Sequence, residues 1–211
     1  MAHSNHSRRR RSRSGGRSAR ADHFYREAKR QGLRARSAFK IEEIAARFSL
    51  LHRGDRVLDL GAAPGGFLKM IAEAVGSDGF ALGVDILDIA PLGYPQVTTA
   101  VVDLLASDVI DRIVARGPAP FDLVTSDAAP KTSGIRITDE ARSLDLCRSE
   151  LNIARRLLKR GGSFVCKVFM GGDFPKFEKE VSAAFEQTRI VRPDATRAGS
   201  FEVYVVGLKR K

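Results

Sequence analysis

The sequence predicts an α/β domain, a doubly wound Rossmann-like fold with a mostly parallel sheet. Three observations carry that prediction. Short apolar runs alternate with longer amphipathic stretches, as in a parallel sheet covered by helices. The first run, Arg56–Leu60 (RVLDL), passes at once into the small residues of GAAPGG and then into the apolar-periodic segment Phe67, Leu68, Ile71, Ala72. That order of strand, tight loop and helix opens a nucleotide-binding βαβ unit. Finally, later runs end on acids, Asp85, Asp103 and Asp127, at the strand edge where open parallel sheets hold their ligands.

Composition bounds the class. A chain of 211 residues with 43% hydrophobic content has the length for one domain with a buried core. No apolar run approaches the ~18 residues of a membrane helix. No signal-peptide core stands near the start, so a cytoplasmic protein without membrane attachment is expected. Cys147 and Cys166 have no metal-ligand spacing, and His3 and His6 have no further ligands. No metal is expected, and the cysteines read as buried thiols in a reducing compartment.

Net charge is +11, which fits a polyanionic partner. Residues 1–20 hold seven arginines and no acid, leaving +4 for the remaining 191 residues. With almost nothing apolar to bury, 1–20 reads as a disordered basic Arg/Ser-rich arm that engages phosphates. A solubilising tail or a transit peptide are the alternatives, although a transit peptide is amphipathic and this segment is not. The domain is expected over 21–211.

Within it, residues 21–36 stay basic but add Phe24, Tyr25 and Leu33, as core anchors or as stacking surfaces for bases. Ser37 reads as the N-cap of a helix through about Phe48, with Ile41, Ile44, Ala45 and Phe48 on one face. Lys40 falls in its first turn, where the helix dipole disfavours a cation. Asp59, among the apolar residues where the first strand ends, and Gly61 of the loop are expected to face the cofactor, and Gly65 and Phe67 belong to the loop and helix start. Strands Phe80–Val84 and Thr98–Val102 lead to Asp85 and Asp103. Asp85 is placed to bond both hydroxyls of a ribose, and Asp103 to meet an adenine edge. The loop lacks GxGxxG and the GK[ST] of a phosphate-binding loop. An adenosine ligand without polyphosphate, S-adenosylmethionine, suits it better than a dinucleotide.

A helix over Ser107–Arg116 and a strand over Phe121–Thr125 follow, with Asp127 emerging in SDAAP. That loop lacks the aromatic [DN]PP[YF] grip of base-amino methyltransferases, which argues against a base nitrogen as acceptor. Lys131–Thr138 is a polar loop, followed by a long helix to Arg160 that Gly161–Gly162 terminates. SFVCKVF is a central strand carrying one charge, Lys167, which is paired or functional unless it reaches water at the strand end. A helix over Asp173–Glu186, a short strand over Arg189–Arg192, a turn over Pro193–Ser200 and the strand FEVYVVGL complete the chain. Glu202 alternates to the side of Tyr204, as a rim residue or as part of a site.

SAFKIEEI, LDLGAAPGGF, SDAAP, FVCKVF and FEVYVV, in this order, resemble the FtsJ/RlmE family of ribosomal RNA ribose 2′-O-methyltransferases, over about residues 22–209. The resemblance implies a seven-stranded methyltransferase sheet with an antiparallel last strand. It implies a catalytic set Lys40, Asp127, Lys167 and Glu202, and cofactor contacts from Gly65, Phe67, Asp85, Asp103 and Asp127. Phe67 departs from the bacterial family, which usually has tryptophan there, and the arm has no counterpart in the resemblance. The implied partner is ribosomal RNA in the large ribosomal subunit, with a uridine of 23S RNA as target and the protein acting as a monomer.

The chemistry is consistent. Methyl transfer from a sulfonium mainly needs in-line positioning and removal of a hydroxyl proton. A lysine can take that proton when a second lysine and desolvation favour its neutral form, while acids oppose this. Lys167 is therefore expected as proton acceptor or electrostatic stabiliser, Lys40 as a stabiliser of developing alkoxide, and the acids as orienting groups. The alternatives are the same chemistry on transfer RNA or mitochondrial ribosomal RNA, and a non-catalytic assembly factor that binds RNA. Intact charges at all four positions speak against the last.

Overall fold

A computed structural model describes residues 37–196 and 199–211. The arm, Phe24, Tyr25, Leu33 and the Ser37 side chain lie outside the described residues. In chain order the elements are α1 (Ser37–Phe48), β1 (Arg56–Leu60), α2 (Gly66–Val75), β2 (Phe80–Asp85), β3 (Val97–Val101) and α3 (Val109–Val114). They continue with β4 (Phe121–Ser126), α4 (Arg136–Leu157), β5 (Leu158–Phe169), α5 (Phe174–Ala184), β6 (Phe185–Val191) and β7 (Glu202–Arg210).

The strands form one seven-stranded sheet in the order β3-β2-β1-β4-β5-β7-β6. β1 to β5 run parallel, and β7 inserts antiparallel between β5 and β6. The expected mostly parallel sheet with an antiparallel last strand is therefore present. The chain reverses direction between β1 and β4, and at such a switch point the strand ends part to leave a crevice.

Helices cover both faces, which is why the central strands are apolar along nearly their whole length. On one face Ile41 and Ile44 of α1 and Phe67, Leu68, Ile71 and Val75 of α2 pack on Val57, Leu123, Val165, Tyr204 and Val206. On the other, residues of α3, α4 and α5 pack on Leu58, Leu60, Val124, Phe164, Cys166 and Val205. Residues two apart in a strand share a face. Asp59, Thr125, Lys167 and Tyr204 thus belong to the α1–α2 face, and Ser126 and Cys166 to the α4 face.

Several boundaries differ from the sequence expectation. The long helix starts at Arg136, inside the expected loop, and ends at Leu157. Gly161–Gly162 do not terminate it. Leu158 already pairs with Phe121, and the register with β4 then jumps to Leu123 opposite Ser163, so 159–162 bulge out of the ladder. Gly161 has φ 78°, a left-handed conformation that only glycine takes at little cost. β6 begins at Phe185, where the expected helix still continued, because antiparallel pairing with β7 from Phe185 opposite Arg210 captures those residues. The α3 helix is shorter than Ser107–Arg116, and β7 extends beyond Leu208 to Arg210.

Candidate active site

A crevice of about 560 Å³ opens at the carboxyl ends of β1, β2, β3 and β4. Gly61, Asp85, Asp103, Asp127 and the Ala128–Lys131 segment are among its lining residues. Gly61 explains why the loop is small. Its φ is 68°, and a Cβ there would stand 2.5 Å from that of Ala128, so any side chain would push the two walls apart.

The acids of the crevice are fixed by main-chain donors. Asp85 Oδ2 accepts the Ala63 N–H and Oδ1 the Leu87 N–H, each at 2.9 Å. Each oxygen keeps a second lone pair for an incoming hydroxyl. Asp103 Oδ1 accepts the Leu105 N–H at 2.9 Å. These contacts set both carboxylates before any ligand arrives.

The structure does not place Asp59, Gly65 or Phe67 among the lining residues. Phe67 of α2 is buried in the core that α1 and α2 form with the sheet, and Gly65 stands at the start of α2. Asp59 is fully buried behind the crevice, where its Oδ1 accepts the Thr125 hydroxyl at 2.8 Å and its Oδ2 makes no hydrogen bond among the described residues. Burial, with smaller contributions from Asp127 and Asp85, pushes its carboxyl from 3.8 to about 8 despite the Thr125 bond. At neutral pH it is therefore a neutral acid.

Beside the crevice the four charges separated in sequence converge as two ion pairs; Asp127 lines the crevice, and Lys40, Lys167 and Glu202 stand next to it without lining it. Lys40 Nζ donates to Glu202 Oε1 at 2.5 Å, with side-chain exposures of 10% and 16%. Lys167 Nζ donates to the Asp127 carbonyl at 2.5 Å and lies 3.0 Å from its Oδ1. Tyr204 joins the pairs. Its hydroxyl donates to Asp127 Oδ1 at 2.5 Å, and Lys40 Nζ lies 5.8 Å from the centre of its ring. Burial, then the neighbouring Asp127, drives the Tyr204 hydroxyl well above its usual range, so it remains a donor.

The antiparallel strand explains the convergence. The parallel strands deliver their last residues to this edge of the sheet, and β7, running the other way, delivers its first. Phe169 pairs with Glu202 and Lys167 with Tyr204. Lys40 comes down from α1 onto the same face. The family resemblance had implied four charges, but Tyr204 had only its two-residue spacing from Glu202 as a signal.

Beneath the lip lies a second layer that sequence reasoning missed. Glu150 of α4 is fully buried, and its Oε1 accepts the Ser126 hydroxyl at 2.8 Å. Ser126 Oγ accepts the Ala128 N–H at 3.1 Å, tying the SDAAP loop to the helix. Cys147 and Cys166 are free and buried, and a ligand atom from each lies within 4.8 Å of the others and of Glu150. The Cys147 thiol donates to the Lys167 carbonyl at 3.1 Å. Asp139, at the start of α4, accepts both Ser133 donors and the Gly134 N–H, which secures the loop leading from the crevice. An amphipathic reading of α4 gives no sign that Asp139 and Glu150 face inward.

Among the described residues no helix is long and apolar enough to cross a membrane. The chain is 59% identical over 186 residues to the ribosomal RNA large subunit methyltransferase E of Anaeromyxobacter dehalogenans, spanning 88% of this chain and 70% of that one. It is 53% identical over 190 residues to the protein of the same name from Myxococcus xanthus, spanning 90% and 89%. Its fold matches a crystal structure described as a ribosomal RNA methyltransferase from Plasmodium falciparum with a TM-score of 0.73 and 22% identity, over 84% of this chain and 98% of that one. The sequence profile of the FtsJ-like methyltransferases matches residues 33–210, nearly everything beyond the basic arm and its continuation, and the chain belongs to that family.

Proposed function

We propose that this protein methylates a ribose 2′-hydroxyl of a uridine in 23S RNA of the large ribosomal subunit, working in the cytoplasm as a monomer. The observation that carries the reading is the meeting of Lys40–Glu202 and Lys167–Asp127 beside a crevice that Asp127 itself lines. The names of its relatives from Anaeromyxobacter and Myxococcus support the substrate.

The residues of the crevice fit S-adenosylmethionine, which supplies a methyl group on a positively charged sulfur. Asp85, with two lone pairs still open, would hold the ribose, Asp103 would meet the adenine, and Gly61 keeps the crevice wall free of a side chain that would meet Ala128. With the donor's leaving group already activated, the chain has to orient the acceptor and take its proton. Lys167 Nζ, held by the Asp127 carbonyl and carboxylate, is the group to which this reading gives the 2′-hydroxyl proton. Asp127 holds that amine in place, and the Tyr204 hydroxyl in turn fixes the Asp127 carboxylate. Lys40, fixed by Glu202, is given the role of stabilising negative charge developing on the acceptor oxygen. The basic arm, a separate segment over 1–20, adds non-specific affinity for RNA.

The test is transfer of labelled methyl from S-adenosylmethionine to large ribosomal subunits and, in parallel, to transfer RNA, followed by digestion and identification of the nucleoside. A 2′-O-methyluridine is expected. Lys167→Ala should abolish transfer and leave cofactor binding unchanged. Label on a base refutes the acceptor, and label confined to transfer RNA refutes the substrate. Full turnover by Lys167→Ala refutes the role given to that residue.

A further inference from the structure

Beside the two ion pairs stands an aromatic and cationic stack that the proposed chemistry does not use. Phe201 immediately precedes Glu202, and Phe169 follows Lys167 by two residues. Their rings meet edge to face at 4.8 Å, with 64° between the planes. The Met170 N–H donates to the Phe201 carbonyl at 2.9 Å, which fixes the ends of the two strands together. Over the Phe201 ring lies the Arg136 guanidinium, 5.4 Å from its centre.

That guanidinium is held in position. Arg136 Nε donates to Glu140 Oε1 at 2.6 Å; the Arg136 side chain is 70% exposed and that of Glu140 is 14% exposed. Glu140 fits because position 171 is glycine, where a Cβ would stand 2.3 Å from Glu140 Oε2. The surface around the stack is unusually apolar for a basic protein. Ile135 and Ile137, on either side of Arg136, are 63% and 80% exposed, and Met170 is 41% exposed. A flat cation on an aromatic ring, bordered by exposed apolar side chains, matches a nucleobase better than a phosphate. Bases splayed out of single-stranded RNA stack on arginine planes and aromatic rings.

We propose that Arg136 and Phe201 form the stacking subsite for the base of the nucleotide whose ribose enters the four-charge site. This rests on the ribose-methylation reading. The crevice occupies the β1–β4 side of the lip, and the stack occupies the β5–β7 side. An acceptor nucleotide reaching across the lip would thus place its sugar between the ion pairs and its base on the stack. Glu140 and Gly171 are positioning residues, acting through the orientation of Arg136.

Steady-state methyl transfer to large subunits tests this with Phe201→Ala, Arg136→Ala, Arg136→Lys and Gly171→Ala. The first two should raise the KM for RNA roughly tenfold or more. Cofactor affinity and the salt dependence of binding should stay as in the wild type. Arg136→Lys should lose as much as Arg136→Ala, since lysine keeps the charge but not the plane. Gly171→Ala should show a smaller loss in the same direction. The proposal is overturned if Arg136→Lys keeps wild-type KM while Arg136→Ala flattens the salt dependence, which is the behaviour of a phosphate contact. It is also overturned if none of the variants changes KM. Arg136 is exposed, so its two variants answer the question even if Phe201→Ala does not fold. Failure of the wild type to label a ribose would instead refute the reading beneath this proposal and remove it as well.

Discussion

Glu150→Gln tests how the floor of the crevice is held. Glu150 is fully buried, bonded through one oxygen to Ser126, and its Oε2 makes no hydrogen bond among the described residues. Burial pushes its carboxyl from 4.5 to about 8, outweighing the opposing effects of the Ser126 hydroxyl and of Lys167. At neutral pH the folded protein therefore carries a proton that the unfolded chain has lost. A raised folded-state value means that the stability tied to this proton is complete below the unfolded pKa. It falls as the pH rises from about 4.5 and is lost by about 8. At about 1.4 kcal/mol per unit, the whole effect is on the order of a few kcal/mol. Glutamine keeps the shape and the acceptor for Ser126 but cannot ionise. Urea unfolding of both proteins should give similar midpoints near pH 5. The curves should separate as the pH rises, with the variant more stable at pH 8 by an amount on the order of 2 kcal/mol or more. Parallel curves would refute the assignment of a buried, protonated Glu150.

Three further outcomes are expected. Glu202→Gln leaves Lys40 buried without its counter-charge and should destabilise by about 3 kcal/mol, while Lys40→Met with Glu202→Gln should recover most of that in thermal unfolding without restoring transfer. Asp85→Ala should weaken S-adenosylmethionine binding by about tenfold to a hundredfold in calorimetry, because it removes two acceptors of ribose hydroxyls. Deleting residues 1–20 should lower RNA affinity at low salt and flatten its salt dependence, and unchanged affinity in a filter-binding titration would refute the role of the arm.

The parts of the site that were legible in the sequence are those whose cause is local. GAAPGG marks a tight loop by its residue types alone, even though the need for glycine at Gly61 comes from distant Ala128, and the acids at the ends of β2, β3 and β4 mark strand ends by position alone. Element boundaries failed where pairing between distant segments decides them. Leu158 leaves its helix to pair with Phe121, and Phe185 leaves its helix to pair with Arg210. Buried acids failed for a similar reason. Glu150 reads as an ordinary polar residue and Asp59 as a cofactor contact, because a sequence shows neither the neighbour that bonds one oxygen nor the burial that protonates the group.

Lys40 shows how such failures can still be read as signals. A cation in the first turn of a helix opposes the dipole, and a buried lysine adds a desolvation cost. Neither is offset within α1, whose first turn has no acid. A charge with no local support implies a partner from elsewhere in the fold, and Glu202 is that partner, 162 residues away. Glu202 taken alone looks like a rim residue, and Lys167 alone a misplaced charge in a core strand. Each becomes intelligible only as half of a pair, and the two pairs meet because β7 runs against β5. The antiparallel insertion that breaks the regularity of a parallel sheet is therefore what brings Glu202 and Tyr204 to the lip beside Lys167.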